Sequence, residues 1–441
     1  KEIARINKNL SEPEIKENSN FWTRRCKAQE KYNAAEKKLT DFYTQSASTI
    51  KNKKNPQVAK TSYNKRNFQN DIPSAILRCI YCDFFSTTQS EKKTAYVSSL
   101  CRELEMRKDY IGGETIETIY FGGGTPSQLS QEDFISIFSH IYKVYNVEPD
   151  AEITLEANPD DLTPEYITML RSLPFNRLSM GIQTFNEDML KLLQRRHTAD
   201  RAIHAFNNCR RAGFHNISID LMYGLPGETL DSWQKDLEQA VNLHPEHISA
   251  YHLIYEENTA LWKLREQHKV AEADEDLSVS LFGTLIDSLS AAGYDHYEIS
   301  NFCLPGLHSR HNSSYWTGKK YLGCGPSAHS YNGISRQWNI ASLNEYIKGI
   351  DGGIPAFEIE ELDLYTRYND FVITGIRTKW GMPLSKLRRE YGEELYAYCL
   401  RMAQPYLKQG TLEIVNDTLK LTRPGIFISD GIMSDMLRVE D

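Results

Sequence analysis

Residues 117–126 read "ETIYFGGGTP", a short apolar run that ends in three glycines, a threonine and a proline. The run predicts a strand, and the glycines predict a loop directly after it. Gly122, Gly123 and Gly124 allow close approach of a ligand and expose backbone groups that suit a carboxylate, an amino group or a phosphate. A plain tight turn is the alternative. No G-x-G-x-x-G helix start follows, so a dinucleotide site is not indicated.

Similar apolar runs recur along the chain and alternate with longer stretches whose apolar residues have helical spacing. The runs are "EITLEA" (152–157), "RLSMGIQ" (177–183), "NISIDLMYG" (216–224), "HISAYHLI" (247–254) and "YDHYEIS" (294–300). This alternation predicts an α/β fold of βα units with a parallel sheet buried on both faces. Counting a strand before Cys79, six or seven strands fit an incomplete (βα)6-type, TIM-like barrel better than a closed eight-stranded one.

Polar residues follow the predicted strands at the end where a parallel barrel carries its chemistry. Beside the glycine loop they are Glu156, Gln183, Asp220, Tyr255 and Glu256. A carboxylate at the end of a buried strand costs several kcal/mol unless it is paired or bound to a ligand, so the two carboxylates on strands are the stronger candidates. We therefore expect a site at the barrel mouth.

Arg195 lies in "LLQRRHT" (192–198) and has two interpretations of equal weight. It could bind the carboxylate of a ligand while Glu156 and Asp220 accept ribose hydroxyls from a nucleoside. It could equally be part of a solvated basic helix end.

The stretch 308–318, "HSRHNSSYWTG", follows the regular part of the chain and is predicted to be a loop. Imidazole can ligate haem iron while aromatic rings cover the macrocycle, which makes His308 and His311 candidates next to Tyr315 and Trp316. A structural histidine with satisfied hydrogen bonds is the alternative.

Cys79 and Cys82 form a C-x-x-C pair that by itself could serve redox exchange, zinc or an iron–sulfur cluster. Eight cysteines are too few for a disulfide scaffold in a chain of 441 residues, so a reducing, cytoplasmic setting is expected. Cys324 stands between glycines and is expected to pack against backbone. The cysteines without ligand spacing are expected to be inert thiols: Cys26, Cys101, Cys209, Cys303 and Cys399.

The charge of the chain changes near residue 70. Residues 1–70 carry 16 Lys and Arg against 7 Asp and Glu, whereas residues 71–441 carry 35 against 52. We expect 1–70 to be a basic polar extension, aberrant or disordered, and the acidic remainder argues against nucleic acid as a partner. No apolar run approaches the ~20 residues of a membrane span, and no signal-peptide pattern is found.

The remaining sequence is expected to form three parts. They are a partial barrel (71–300), a connecting segment that carries the histidine and aromatic motif (301–350) and a small α-rich, winged-helix-like domain (351–441).

Eight motifs in order resemble the radical S-adenosylmethionine family of oxygen-independent coproporphyrinogen oxidases, and they are most similar to its haem-chaperone branch. The resemblance covers about residues 72–441. The motifs are "RCIYCDF", "YFGGGTPSQL", "ITLEANPDDL", "RLSMGIQTF", "LLQRRHT", "SIDLMYGLPGET", "HNSSYW" and "YLGCGPSAHSY".

The resemblance implies a [4Fe–4S] cluster held by three cysteines in C-x-x-x-C-x-x-C, with S-adenosylmethionine at the fourth iron. Cys79 and Cys82 match the second and third of these ligands. The positions that match adenosylmethionine-binding residues are Gly123, Gly124, Thr125, Glu156, Gln183, Arg195, Asp220 and Ile254. The positions that match the haem signature HNxxYW of the chaperone branch are His311, Asn312, Tyr315 and Trp316.

One position departs from the pattern, because Ala75 stands where the first cluster cysteine is expected.

Three functions follow from the resemblance. The first is a haem chaperone that passes haem to acceptor proteins, with membrane contact only through those acceptors. The second is an oxidase that decarboxylates coproporphyrinogen III, and HNxxYW together with Asp83 after the cysteine pair favours the first over it. The third is a homologue without a functional cluster. Whether the protein is an enzyme is left open by these alternatives.

Overall fold

Seven strands form one sheet in the first of the two units into which the chain divides. The computed structural model describes residues 80–81, 90–123, 125–257 and 259–438, and the expected extension 1–70 lies outside them. The first unit holds the described residues up to Asp363, and the second begins at Leu364. The seven strands are β1 (Ile116–Phe121), β2 (Val147–Ala157), β3 (Arg177–Gln183), β4 (Ile217–Tyr223), β5 (His247–His252), β6 (Asp295–Glu298) and β7 (Asn301–Cys303).

Strands β1 to β5 are parallel neighbours in chain order, and helical connections join them. Within the described part of the chain the edge strands β1 and β6 do not pair, so the curled sheet is an incomplete barrel, as predicted. The helices of this unit are α1 (Lys93–Met106), α2 (Gln131–Val144), α3 (Pro164–Arg171), α4 (Glu187–Leu192), α5 (Ala199–Arg211), α6 (Leu230–Leu243), α7 (Ala260–Glu266), α8 (Glu275–Ala291), α9 (Arg310–Trp316) and α10 (Leu343–Asp351).

The last two strands of the sheet break the parallel pattern that the sequence predicts. Strand β7 lies between β5 and β6 and is antiparallel to both. Only Ile299 and Ser300 connect β6 to β7, and two residues suffice for a hairpin but not for a crossover between parallel strands. The "YDHYEIS" strand therefore returns as a hairpin at the sheet edge.

The outer face of the sheet packs against helices through apolar side chains. Ile119 and Phe121 of β1 contact the buried cluster of α1 and α2, and Leu178, Met180 and Ile182 of β3 have 0% exposure. Burying each such side chain contributes about 2 kcal/mol. This outer face is apolar, whereas the opposite face carries polar side chains that are buried or half-buried.

The stretch after residue 300, predicted to be irregular, contains regular elements. Ser309 accepts a hydrogen bond from the backbone N–H of Asn312 through its Oγ (3.2 Å), which caps α9. The segment 308–318 is therefore mainly a helix, and the loop prediction is wrong. A second, antiparallel sheet follows in the order β10-β9-β8, formed by β8 (His329–Tyr331), β9 (Ser335–Asn339) and β10 (Phe357–Glu361).

The second unit is α-rich with a small antiparallel sheet, as predicted for the C-terminal domain. Asn416 and Asp417 have positive φ and form the two-residue turn of an antiparallel hairpin. No helix of the described residues is both long and apolar enough to cross a lipid bilayer. The elements are α11 (Leu364–Ile376), β11 (Met382–Pro383), α12 (Leu384–Lys408, interrupted at Gly392), β12 (Leu412–Val415), β13 (Thr418–Leu421), α13 (Arg423–Ile426) and α14 (Ser429–Met436).

Candidate functional site

The inner face of the main sheet, opposite the packed helices, carries polar side chains on all five parallel strands. Side chains alternate along a strand, so Thr118 and Tyr120 lie on the inner face when Ile119 and Phe121 lie on the outer one. The strand registers continue this row across the sheet. Its members include Thr118, Tyr120, Glu152, Thr154, Glu156, Arg177, Ser179, Ser218, Asp220, His247 and Ser249.

Glu156 is held by two donors near the end of β2. Its Oε1 accepts the hydroxyl of Tyr120 at 2.7 Å, and its Oε2 accepts the backbone N–H of Gly123 at 3.1 Å. Burial raises the pKa of Glu156, while Tyr120, Gly123 and Arg177 act in the opposite direction. The carboxylate therefore links β1, β2 and the glycine loop.

Asp220 lies on β4 and faces the same space. Burial, with Glu156 as a second cause, raises the pKa of Asp220 to about 7, and Arg177 opposes this shift. The hydroxyl of Ser179 donates to Asp220 at 3.3 Å, and Ser249 also donates to it. A ligand with hydroxyl donors would find a carboxyl group that still has acceptor capacity.

Arg177 is the cation of this inner face, and only 1% of the residue is exposed. Its Nε has no hydrogen-bond partner among the described residues. Its charge opposes the rise that burial causes in the pKa of both Glu156 and Asp220. Arg177 was not among the residues predicted from the sequence. It could have been found from its position as the first residue of an apolar strand, because a buried charge is costly unless it is paired or bound to a ligand.

Gly122 and Gly123 occupy positions of the loop beside Glu156 that do not suit a side chain. A Cβ on Gly122 would lie 2.4 Å from Tyr120 Cε1 and 2.8 Å from Glu156 Oε1. Gly123 has a φ of +83°, which L side chains rarely adopt. Gly124 lies outside the described residues.

Gln183 and Arg195 converge on Gly181 of β3. Arg195 Nη2 donates to the carbonyl of Gly181 at 2.6 Å and to Asn158 Oδ1 at 2.9 Å. Gln183 has a φ of +72°, and its Nε2 lies 2.8 Å from where a Cβ of Gly181 would be. Arg195 is thus directed onto the sheet and is not a solvated helix end. The backbone of Gln183 is strained, and strained backbone is common in binding sites.

The other predicted mouth residues differ in accessibility. Thr125 is exposed in the loop after β1, and Ile254 is 66% exposed beyond β5. Tyr255 was expected at the mouth, but it is only 7% exposed and packs with Leu253 and Leu261 in a hydrophobic cluster. That expectation was wrong because its ring is needed in the core.

His311 reaches the inner face from α9. Its Nδ1 lies 2.9 Å from Thr118 Oγ1 and its Nε2 lies 2.9 Å from Tyr315 Oη. Its ring stacks on Tyr120 with a centroid distance of 4.6 Å and an interplanar angle of 17°. Burial, and secondly Arg177, lowers the pKa of His311 to about 4, so the imidazole is neutral at physiological pH.

The start of α9 is fixed by β2. The carboxylate of Glu152 accepts the backbone N–H groups of Arg310 (3.0 Å) and His311 (2.9 Å). Glu152 is 6% exposed, and the Arg310 side chain pairs with Glu148 at 3.2 Å. These contacts place His311 against β1.

The rest of the HNxxYW motif occupies the same short helix. Tyr315 is 37% exposed and meets Tyr321 edge-on at 4.8 Å. Trp316 is half-buried at the last position of α9, and Asn312 is half-buried in its first turn. The four motif residues therefore lie on one element beside the inner face.

The predicted cluster ligands Cys79 and Cys82, and Ala75, lie outside the described residues. Ile80 is described and packs with Met222 at the end of β4 and with Leu253 beyond β5. No group of three or more His, Cys, Asp or Glu suited to a metal ion occurs within the described ranges. Within the described residues no disulfide joins the cysteines, which are Cys101, Cys209, Cys303, Cys324 and Cys399. Cys324 is half-buried and packs against the cluster of α1 and α2.

Comparison with known proteins identifies the class. Residues 74–240 match the radical SAM superfamily, and residues 362–428 match the HemN C-terminal domain. The solved coproporphyrinogen III oxidase (HemN) of Escherichia coli covers 81% of this chain and 86% of its own, with a TM-score of 0.70 and 23% identity. That likeness shows the fold alone. The fold is that of a radical SAM protein with a HemN-type C-terminal domain.

Curated relatives narrow the class further. "Heme chaperone HemW" of Mycobacterium tuberculosis (strain H37Rv) is 33% identical over 371 residues, which cover 83% of this chain and 93% of the relative. The protein of the same name from Bacillus subtilis (strain 168) is 31% identical over 369 residues, covering 83% and 97%. The chain therefore belongs to the HemW family. Membership in the radical SAM class implies a [4Fe–4S] cluster and S-adenosylmethionine as cofactors.

Proposed function

We propose that this protein is a haem chaperone, which binds haem through His311 and passes it to acceptor proteins in the cytoplasm. The curated relatives that span most of the chain carry the name heme chaperone. The observation that carries the proposal is the setting of His311: a neutral imidazole whose Nε2 contacts the hydroxyl of the partly exposed Tyr315. The phenol of Tyr315 has to move for iron to reach this nitrogen.

Haem is the cargo, and the polar inner face is a separate site for adenosylmethionine. Glu156 and Asp220 have acceptor capacity for ribose hydroxyls, and Arg195 can bind the carboxylate of the ligand. The residues proposed to complete this site are Gly123, Gly124, Thr125, Gln183 and Ile254. The buried Nε of Arg177 and Oγ1 of Thr154, which lack partners among the described residues, also fit a polar ligand or water in this space.

The cluster would be bound by Cys79 and Cys82, on either side of the dipeptide whose Ile80 packs at the ends of β4 and β5. When bound, the cluster and adenosylmethionine supply one-electron chemistry, and the residues of this chain bind and orient them. Ala75 cannot ligate iron, so we expect a weakly held cluster or none.

The main competing function is decarboxylation of coproporphyrinogen III, the activity in the name of the E. coli structure. The two functions are separated by supplying the full chain, reconstituted anaerobically and reduced, with either coproporphyrinogen III or haem. A chaperone retains haem through gel filtration, transfers it to an apo-haemoprotein and forms no decarboxylated porphyrin. Porphyrinogen decarboxylation without haem retention would overturn the proposal.

A further inference from the structure

Tyr120 contacts both candidate ligand sites. One face of its ring stacks on His311, with the centroids 4.6 Å apart, and its hydroxyl donates to Glu156 at 2.7 Å. His311 of the haem motif and Glu156, the carboxylate proposed to bind the nucleoside, therefore both contact the same tyrosine side chain.

The position of the Tyr120 ring is set from one side by His311. Thr118, two residues earlier on the same strand face, holds His311 Nδ1 at 2.9 Å, and Glu152 holds the backbone of His311. His311 is thus held in place against one face of the Tyr120 ring. A stacked aromatic pair contributes beyond its buried area and restricts ring rotation.

The position of the Glu156 carboxylate is set in turn by Tyr120. The other oxygen of Glu156 accepts the N–H of Gly123, which places the two oxygens in defined directions. A tyrosine hydroxyl at 2.7 Å from a carboxylate is a strong, charge-assisted hydrogen bond. Without it, the carboxylate would be less ordered and a poorer acceptor for a ligand hydroxyl.

We propose that Tyr120 is a positioning residue through which His311, a residue of the haem motif, also supports binding of the adenosyl ligand at Glu156. This inference rests on the proposed adenosyl site. It gives His311 a second role that does not involve iron: the imidazole holds the phenol, and the phenol orients the carboxylate.

A double-mutant cycle on the full chain tests this path, with S-adenosylhomocysteine as the probe and isothermal titration calorimetry as the measurement. Tyr120→Phe keeps the ring and the stack but removes the hydroxyl, and should weaken binding about tenfold because the Glu156 carboxylate is then less ordered. His311→Leu should weaken binding about threefold when Tyr120 is present. In the Tyr120→Phe background His311→Leu should have no further effect, because the transmitting hydroxyl is absent.

Matched controls are Tyr142→Phe and His215→Leu, which alter exposed residues outside the site. His311→Gln, which keeps a polar contact to Thr118 without a ring, replaces His311→Leu if that variant unfolds. Equal losses from the His311 change in both backgrounds, or no loss in either, would overturn the inference. If Glu156→Gln leaves probe binding unchanged, the adenosyl site itself is wrong, so the two failures are distinguishable.

Discussion

The carboxylate of Glu152 on β2 accepts the backbone N–H of His311 at 2.9 Å, although the two residues are 159 positions apart in the chain. The same carboxylate accepts the N–H of Arg310 at 3.0 Å. A short helix is not stable by itself, so its first turn is fixed by this contact with a buried strand together with the Ser309 cap. The imidazole of His311 is placed by β2 as much as by its own helix.

Replacing Glu152 should therefore release the start of α9. Glu152→Gln keeps one acceptor oxygen but loses the charge, and we expect a loss of about 1–3 kcal/mol in local stability. Hydrogen exchange of the Arg310 and His311 amides should be faster by one order of magnitude or more. Glu148→Gln, which removes the charge that pairs with the Arg310 side chain, is the control. Unchanged exchange at both amides would show that Glu152 does not anchor the helix.

Tyr315 competes with iron for His311 in the proposed chaperone. Its hydroxyl lies 2.9 Å from Nε2, so Tyr315→Phe removes a hydrogen bond that haem binding must break while keeping the ring. We expect haem affinity to rise about three- to tenfold, as judged by titration of the Soret band. Tyr321→Phe, which alters the neighbouring ring, is the comparison. A large loss of affinity in Tyr315→Phe would mean that the hydroxyl itself binds haem.

Asp220 makes stability depend on pH in a defined direction. Its pKa is raised to about 7 in the folded protein, whereas that of an unfolded aspartate is about 3.9. Between these values the folded state holds a proton that the unfolded state has lost, so Asp220 makes the protein less stable as the pH rises from about 4 to 7. Above pH 7 the full destabilisation is present.

Asp220→Asn should remove this dependence. At pH 8 we expect the variant to be more stable than the natural chain by about 1–3 kcal/mol, and at pH 4 the difference should vanish. Thermal unfolding at several pH values measures both, with the exposed Asp109→Asn as control. A variant that is less stable than the natural chain at pH 8 would contradict the assignment. The same substitution should weaken S-adenosylhomocysteine binding, since an acceptor is lost.

The missing cysteine gives a prediction about iron. After anaerobic reconstitution the natural chain should hold well under four iron atoms per molecule, because Ala75 offers no thiolate. Ala75→Cys should raise the content towards four iron and four sulfide, and Cys82→Ser in that background should abolish the gain. Iron and sulfide analysis with absorption near 400 nm provides the measurement. A full cluster in the natural chain would show that another ligand replaces the first cysteine.

Much of the barrel follows from local pattern. "RLSMGIQ" and "LDSWQKDLEQAVNL" coincide with β3 and α6 because their apolar residues have the period of the element that buries them. Asp220 and Glu156 could be predicted as site residues because a carboxylate in a buried strand is costly unless it is paired or bound to a ligand. Local pattern could not reveal the reversal at β7, which depends on a two-residue connection.

Other features of the site could not be predicted from local sequence. The helix around His311 is stabilised by Ser309 and by Glu152, and the latter contact spans 159 positions. Tyr120 and Arg177 lie in predicted strands, where the sequence does not distinguish them from other strand residues. Their importance depends on which face of the sheet lines the site. The tertiary fold decides this, and the sequence of a single strand does not reveal it.

The central claim is that His311 binds haem. Titration of haemin into the full chain, into His311→Ala and into the matched variant His308→Ala, followed by the Soret band, tests it most directly. We predict a saturable Soret shift for the natural chain and for His308→Ala, with affinity reduced at least tenfold in His311→Ala. An unchanged affinity in His311→Ala, with the protein still folded, would contradict the proposed function.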